Sequence, residues 1–288
     1  MPIEVHHRDG HVLFVSQGAA DLKGTLREGK KRGVSFAGAS LAGADLRGAD
    51  IPEIQLSGAN LAGASLRQSD LEEASLEGAN LSNAMIDGTN LEEAKLDAAN
   101  LTGAHLRGSN LEDASLTKAD LSSANLDGTN LERADLTDAK LVRATLLRAN
   151  LENASLVRVD AAGANLEGAN MERAQLDGAR CEGASFLEAN LEKASFAEAE
   201  LVSAKLDGAN LEKAIFMRGR LRGASFVGAN LEKADFRDAD LRDANFAEAN
   251  LEKADFTGAH LEGIVLTNAN LDAAKGLDAA PTSKGPYR

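Results

Sequence analysis

Apolar and polar positions follow a fixed beat of five along most of this chain. From Phe36 to Leu271 an apolar residue stands at every fifth position, 48 times in succession, with no insertion, deletion or polar substitution. The unit reads small, Asp or Asn, Leu, then two variable residues, as in Ala44-Asp45-Leu46-Arg47-Gly48, and the residue two before the centre is Ala in 39 of the 48 units. Five steps along an α-helix turn through about 500°, so a Leu column would shift by about 140° per unit and smear around the surface. In a flat strand an odd repeat throws successive Leu residues to opposite faces. The pattern therefore predicts a coil that bends inward after each short extended piece, with the central Leu and the preceding Ala pointing to one axis.

A slower beat sets the size of a turn. Asn-Leu-Glu returns at twenty-residue intervals at Asn90, Asn110, Asn130, Asn150, Asn190, Asn210, Asn230 and Asn250, with Asp70-Leu71-Glu72 and Asn170-Met171-Glu172 as near copies. Ser69, Thr89, Ser109 and Thr129 replace Ala on that beat, and Phe196, Phe216, Phe236 and Phe256 repeat on another. Twenty residues are four units, so each turn is expected to have four faces and each residue to stack on its counterpart one turn away. The 240 residues of repeat would make 12 turns and, at about 4.8 Å per turn, a rod roughly 58 Å long. Of the 20 glycines between residues 36 and 275, 19 occupy the fifth position of the unit, where a tight turn with positive φ favours glycine. Leu46, Leu71, Leu91, Leu111 and Leu131, with the four Phe residues, are the expected core, too narrow for a ligand cavity.

The ends depart from the beat. Residues 2–16 alternate around Arg8-Asp9-Gly10 and predict a β-hairpin. Residues 19–32 predict a short helix, with Leu22 and Leu26 one turn apart and Lys30-Lys31-Arg32 before Gly33, as suits a helix C-terminus. Residues 1–33 are thus expected to cap the coil of residues 34–275, covering apolar side chains and backbone that its first turn would expose. A hairpin edge could also dock a partner. Residues 276–288, with Pro281, Gly285 and Pro286, predict a flexible tail.

These tandem A-[D/N]-L-x-x units, covering most of the chain, resemble those of the pentapeptide-repeat family. The resemblance implies an all-β solenoid, a right-handed quadrilateral β-helix of about 12 coils, and it alone supplies the handedness. Similar hairpin-plus-helix leaders precede the repeats in some bacterial and phage members. Family functions range from bacterial proteins that bind DNA gyrase, some by resembling duplex DNA in shape and charge, to many of unknown role. Dimeric gyrase-binding relatives generally pair through a C-terminal segment, and some carry projecting loops. Neither an amphipathic C-terminal helix nor a loop insertion is visible here, so a monomer or weak dimer is expected.

Charge sharpens the picture. The chain carries a net −14, which argues against nucleic acid or anionic lipid and for a protein partner with a basic surface. Stacking by twenties places Glu72, Glu92, Glu112, Glu132 and Glu152 in one column. The adjacent column holds Glu73, Glu93 and Asp113, then changes to Arg133, Asn153, Arg173, Lys193, Lys213, Lys233 and Lys253. This stripe, acidic at its N-terminal end and nearly balanced further on, is the candidate interaction surface. Residues 36–155 hold 19 acids and 9 bases, and residues 156–275 hold 21 and 14, a net of −10 and −7. Spread over the expected rod, −17 gives one charge per roughly 3.4 Å, against about 1.7 Å for duplex DNA; DNA mimicry is permitted but not demanded. The Asn column is expected to be structural, its amides bonding along the axis.

No constellation of catalytic residues emerges. His6, His7 and His11 lie close in the leader but come without Cys or a set ligand spacing, so neither a metal nor a cofactor is expected. Cys181 occupies a central Leu position and is expected to be buried and inert. A smooth convex coil supplies no pocket to separate the pKa values of paired carboxylates. The start of the chain lacks the basic-then-apolar order of a signal peptide, and no apolar run is long enough to span a bilayer, so a cytoplasmic location is expected. The function read from the sequence is non-catalytic protein binding by a rigid acidic rod. The alternative is a DNA-mimicking modulator of a type II topoisomerase, DNA gyrase or topoisomerase IV, of the quinolone-resistance kind.

Overall fold

The computed structural model describes residues 2–277, which group into two compact units, one ending at Thr145 and the other beginning at Leu146. Of the expected tail, residues 278–288 lie outside the described part.

In both units the five-residue pattern becomes a β-helix. Parallel single-residue bridges join positions twenty residues apart, four to each turn: Ser40 to Asn60, Asp45 to Ser65, Asp50 to Asp70 and Gln55 to Ser75 in the first unit, and the same spacing from Asn150–Asn170 to Asp255–Lys275 in the second. The pentad Leu91–Lys95 shows how each backbone N–H is satisfied. The N–H groups of Leu91 and Glu93 donate to the carbonyls of Asn110 and Glu112 in the next turn, at 2.7 and 2.9 Å, and that of Lys95 donates back to Ala74 at 2.9 Å. Ala94 N–H closes a tight turn onto Leu91 at 3.0 Å. The remaining donor, Glu92 N–H, reaches the side-chain Oδ1 of Asn90 at 3.3 Å. Asp or Asn before the central Leu thus completes the pairing that a buried-edge backbone requires.

The turn has one backbone signature. At the second residue after the central position φ is positive in all 48 units, 19 of them glycine and 29 not. A positive φ confined to the third residue of a four-residue turn is the type II pattern. None of the 29 other residues is β-branched or aromatic, the classes for which this conformation is least tolerable.

Inside the first unit Leu46, Leu71, Leu91, Leu111 and Leu131 are at most 1% exposed. The buried hydroxyls of Ser69, Thr89 and Ser109 donate to the carbonyls of Leu46, Leu66 and Ile86 at 2.8, 2.6 and 2.7 Å, and Thr129 donates to Leu126 at 2.7 Å. In the second unit Phe196, Phe216, Phe236 and Phe256 form a fully buried stack with centroids 4.9–5.1 Å apart. A second column, not singled out from the sequence, runs beside it: Phe226 stacks on Phe246 at 4.8 Å, and both meet the first column edge-on. Parallel stacking along the axis and edge-to-face contact across it match the charge distribution of aromatic rings.

The leader caps the first turn. Strands β1 (Ile3–His6) and β2 (Val12–Ser16) pair antiparallel, with a register shift between Val5 and His6. Helix α1 spans Leu22–Lys31, starting three residues later than residue 19, the start expected from the sequence. Ala19 is held in the preceding turn by Ser16 Oγ at 2.9 Å, and Asp21, in extended conformation, caps the helix by accepting Gly24 N–H, which is the favoured role of Asp at that position. Ser40 N–H donates to His6 O at 2.7 Å and Arg8 N–H to Gly38 O at 2.9 Å, bonding the hairpin to the first turn. The carbonyls of Arg47 and Asp50, which have no preceding coil to pair with, accept from Lys23 Nζ and Arg27 Nε of α1 at 3.0 and 3.2 Å. Phe36 closes the core edge-on to Phe14 at 6.2 Å, with Gly29 of α1 lying so close that a Cβ there would stand 2.4 Å from the Phe36 ring.

Candidate functional site

The candidate stripe lies on one face of the first unit, where the bridges Asp70–Asn90, Asn90–Asn110 and Asn110–Asn130 stack its turns. Each side-chain amide links to the turn before it: Asn90 Nδ2 to Asp70 Oδ1 at 3.1 Å, Asn110 to Asn90 at 3.3 Å and Asn130 to Asn110 at 3.0 Å. The amides of Asn110 and Asn130 also reach the carboxylates of Glu92 and Glu112 at 3.1 and 3.0 Å. The Asn column therefore both satisfies the backbone and holds the carboxylates of Glu92 and Glu112.

The stripe has two parts. Among the described residues no Lys or Arg forms an ion pair with Glu72, Glu73, Glu92 or Glu93. Partial desolvation, with the carboxylates of Asp70, Glu92, Glu73 and Glu93 around it, pushes the Glu72 carboxyl up. Arg133 ends this block. Its guanidinium bonds Asp113 through Nε at 2.9 Å and Nη2 at 2.7 Å, and also contacts Glu112 and Glu132. Its hydrogen bonds hold the Asp113 carboxyl down, and the carboxylates of Asp113 and Glu112 in turn raise the Arg133 pKa. Seven of the eight stripe residues are thus brought together in the first unit, but only four remain without a basic partner.

Glu152 belongs to the second unit, where its carboxylate lies 3.8 Å from Arg173. There the column carries its own bases. Arg173 meets Glu172 at 3.0 Å, Lys193 meets Glu192 at 2.6 Å, Lys213 and Lys233 meet Glu212 and Glu232 at 2.5 Å, and Lys253 meets Glu252. These exposed pairs relieve like-charge repulsion along the ladder and individually add little stability.

Two further groups bear on chemistry. Cys181 is fully buried, and burial, with Asp160 nearby, pushes its thiol up to about 12, far from the thiolate a nucleophile needs. A surface groove in the first unit is lined by Lys23, Asp45, Arg47, Arg67, Gln68 and Asp87. Both of its acids are engaged, Asp45 with Arg47 at 2.6 Å and Asp87 with Arg67 at 3.0 Å. Arg47 holds the Asp45 carboxyl at about 2, well below the range for general-base work near neutral pH. Among the described residues no helix is long and apolar enough to cross a membrane.

Eight copies of a family model described as pentapeptide repeats match residues 32–53, 54–93, 94–133, 134–173, 174–212, 204–243, 214–258 and 244–275. Among solved structures, HetL from the cyanobacterium Nostoc, a pentapeptide repeat protein involved in heterocyst differentiation regulation, is 30% identical over 89% of this chain and 98% of its own, with a TM-score of 0.37. QnrB1, a plasmid-mediated fluoroquinolone resistance protein, is 22% identical over 64% of this chain and 89% of its own, with a TM-score of 0.39. Rfr23, a pentapeptide repeat protein from the cyanobacterium Cyanothece, is 31% identical over 35% of this chain and 63% of its own, with a TM-score of 0.25. No curated protein matches the chain.

Proposed function

The chain belongs to the pentapeptide-repeat family, and from that premise we propose that it is a non-catalytic binding scaffold. Its coils would wind right-handed as the quadrilateral β-helix that family membership implies, presenting a rigid acidic face to a protein with a basic surface. The observation that carries this reading is the block Glu72, Glu73, Glu92 and Glu93: four carboxylates borne by two successive turns, without a basic neighbour in ion-pairing range. Such a field steers and orients a cationic partner more than it strengthens binding.

The test is capture of a partner from cell extract by the full chain and by a variant with all four glutamates changed to Lys, each at low and high salt. The wild type should retain a basic protein that elutes as salt rises, and the variant should lose it. Equal capture by both proteins would refute the assignment.

The excess of acid over base in residues 36–155, 19 against 9, favours one specific second reading, modulation of a type II topoisomerase through its DNA-binding surface. In a supercoiling assay with purified DNA gyrase, that reading requires inhibition or drug protection that weakens with salt; no effect at either salt would discard it.

A further inference from the structure

The geometry points to a divalent transition-metal site on the leader hairpin, formed by His7, Asp9 and His11. His7 N–H donates to His11 O at 2.8 Å and Gly10 N–H to His7 O at 2.9 Å, so the two histidines face each other directly across the hairpin turn and present their side chains on one side. Their rings stack with centroids 4.7 Å apart and planes 24° apart. Asp9, at the tip of the turn, folds back between them, its Oδ1 lying 2.8 Å from His7 Nδ1 and 2.6 Å from His11 Nδ1. The three donor atoms all lie within 4.8 Å of one another. His6 is not part of the group, since its Nε2 turns to Glu4 at 3.1 Å.

One ligand is fixed by the fold. The Nε2 edge of His7 rests on Gly38, where a Cβ would stand only 2.1 Å from Nε2, and Arg8 N–H ties the adjoining backbone to Gly38 O. His7 Nδ1 therefore points at Asp9, whose backbone N lies 3.3 Å from it and whose Oδ1 accepts His11 N–H at 3.2 Å, while the side chains of Asp9 and His11 are exposed. Two imidazole nitrogens and one carboxylate, with remaining positions open to water, form a ligand set suited to Zn2+ and its neighbours in the transition series. Ligands about 2.0–2.1 Å from a tetrahedral ion stand about 3.4 Å apart. The present 2.8 and 2.6 Å are hydrogen-bond spacings, each with a proton on Nδ1, so an ion that takes the place of both Nδ1 protons, the imidazoles keeping their hydrogens on Nε2, opens the group by somewhat over half an ångström. Because His7 bridges to Ala39, a bound ion would brace the hairpin tip against the first turn of the coil.

The test uses the full chain without an affinity tag, freed of metal, titrated with Zn2+ by calorimetry and with Co2+ by visible absorption. One equivalent should bind, with Co2+ giving the absorption of a low-coordinate site. Asp9→Asn and His11→Ala should each weaken uptake at least as much as loss of an outer-sphere partner does, about tenfold or more, with circular dichroism unchanged. His260→Ala, in the second unit, should bind as the wild type does. Absence of saturable uptake, or uptake that Asp9→Asn and His11→Ala leave intact, would overturn the assignment.

Discussion

At the second residue after each central apolar position the backbone takes a positive φ whether or not the residue is glycine, as at Lys118 (57°) and Gly108 (62°). For an L-residue this conformation costs roughly 1–2 kcal/mol, and it persists because the next turn fixes the residue's N–H, as the carbonyls of Thr137 and Asp127 do for Lys118 and Gly108 at 2.9 and 3.1 Å. Gly108 isolates the effect, since nothing lies within 4 Å of where its Cβ would be. Gly108→Val should therefore lower stability in urea by roughly 1–2 kcal/mol or somewhat more, and Gly108→Lys by less, although neither side chain meets an obstacle. Equal stability of all three proteins would mean that the turn relaxes. The glycine preference at this position was legible in the sequence; that Arg, Lys and Glu share the same φ was not, because that depends on the bond from the neighbouring turn.

Among the elements, the junction of α1 with the coil is the most exacting. Gly29 sits against the Phe36 ring with no room for a methyl group, while Lys23 and Arg27 of the same helix hold the carbonyls of Arg47 and Asp50. Gly29→Leu should lift the helix from the core, expose Phe36 and lower stability by about 1–3 kcal/mol, as overpacking does. Thermal unfolding followed by circular dichroism would record the loss, and an unchanged midpoint would show that the helix contributes no closure. A hairpin and a helix were readable from Arg8-Asp9-Gly10 and the Leu22–Leu26 spacing. Helix α1 starts at Leu22 and not at residue 19 because Asp21 outcompetes the preceding residues as a cap, through a bond to Gly24 N–H that spacing alone does not reveal. Within the stripe, the change from Glu93 and Asp113 to Arg133 was visible as a sequence order, yet the guanidinium reaches back across a turn and removes Glu112 and Asp113 from the unpaired set.

For the molecule as a whole, charge makes stability depend on acidity. Arg47, Arg237 and Arg242 hold the carboxyls of Asp45, Asp235 and Asp240 below their usual range, Asp45 at about 2. Their contribution is present above the unfolded value of about 3.9 and is lost as pH falls through the folded values. Glu72 acts with the opposite sign: its raised carboxyl favours the folded state below the unfolded value and loses that benefit as pH rises. The unfolding midpoint should stay nearly level down to about pH 5 and fall between about 4 and 2; a midpoint still rising below pH 4 would contradict the assignment of these pairs. The sequence by itself determined the coil, its twenty-residue turn and its apolar interior, because a side-chain period of five within a period of twenty can bury one column only by bending at every unit. Tertiary structure alone decided which N–H each Asn accepts, where Arg133 closes the acidic block, how a second Phe column packs against the first, and that His7 and His11 flank Asp9. Each of these depends on distances between residues that only the folded turns bring together.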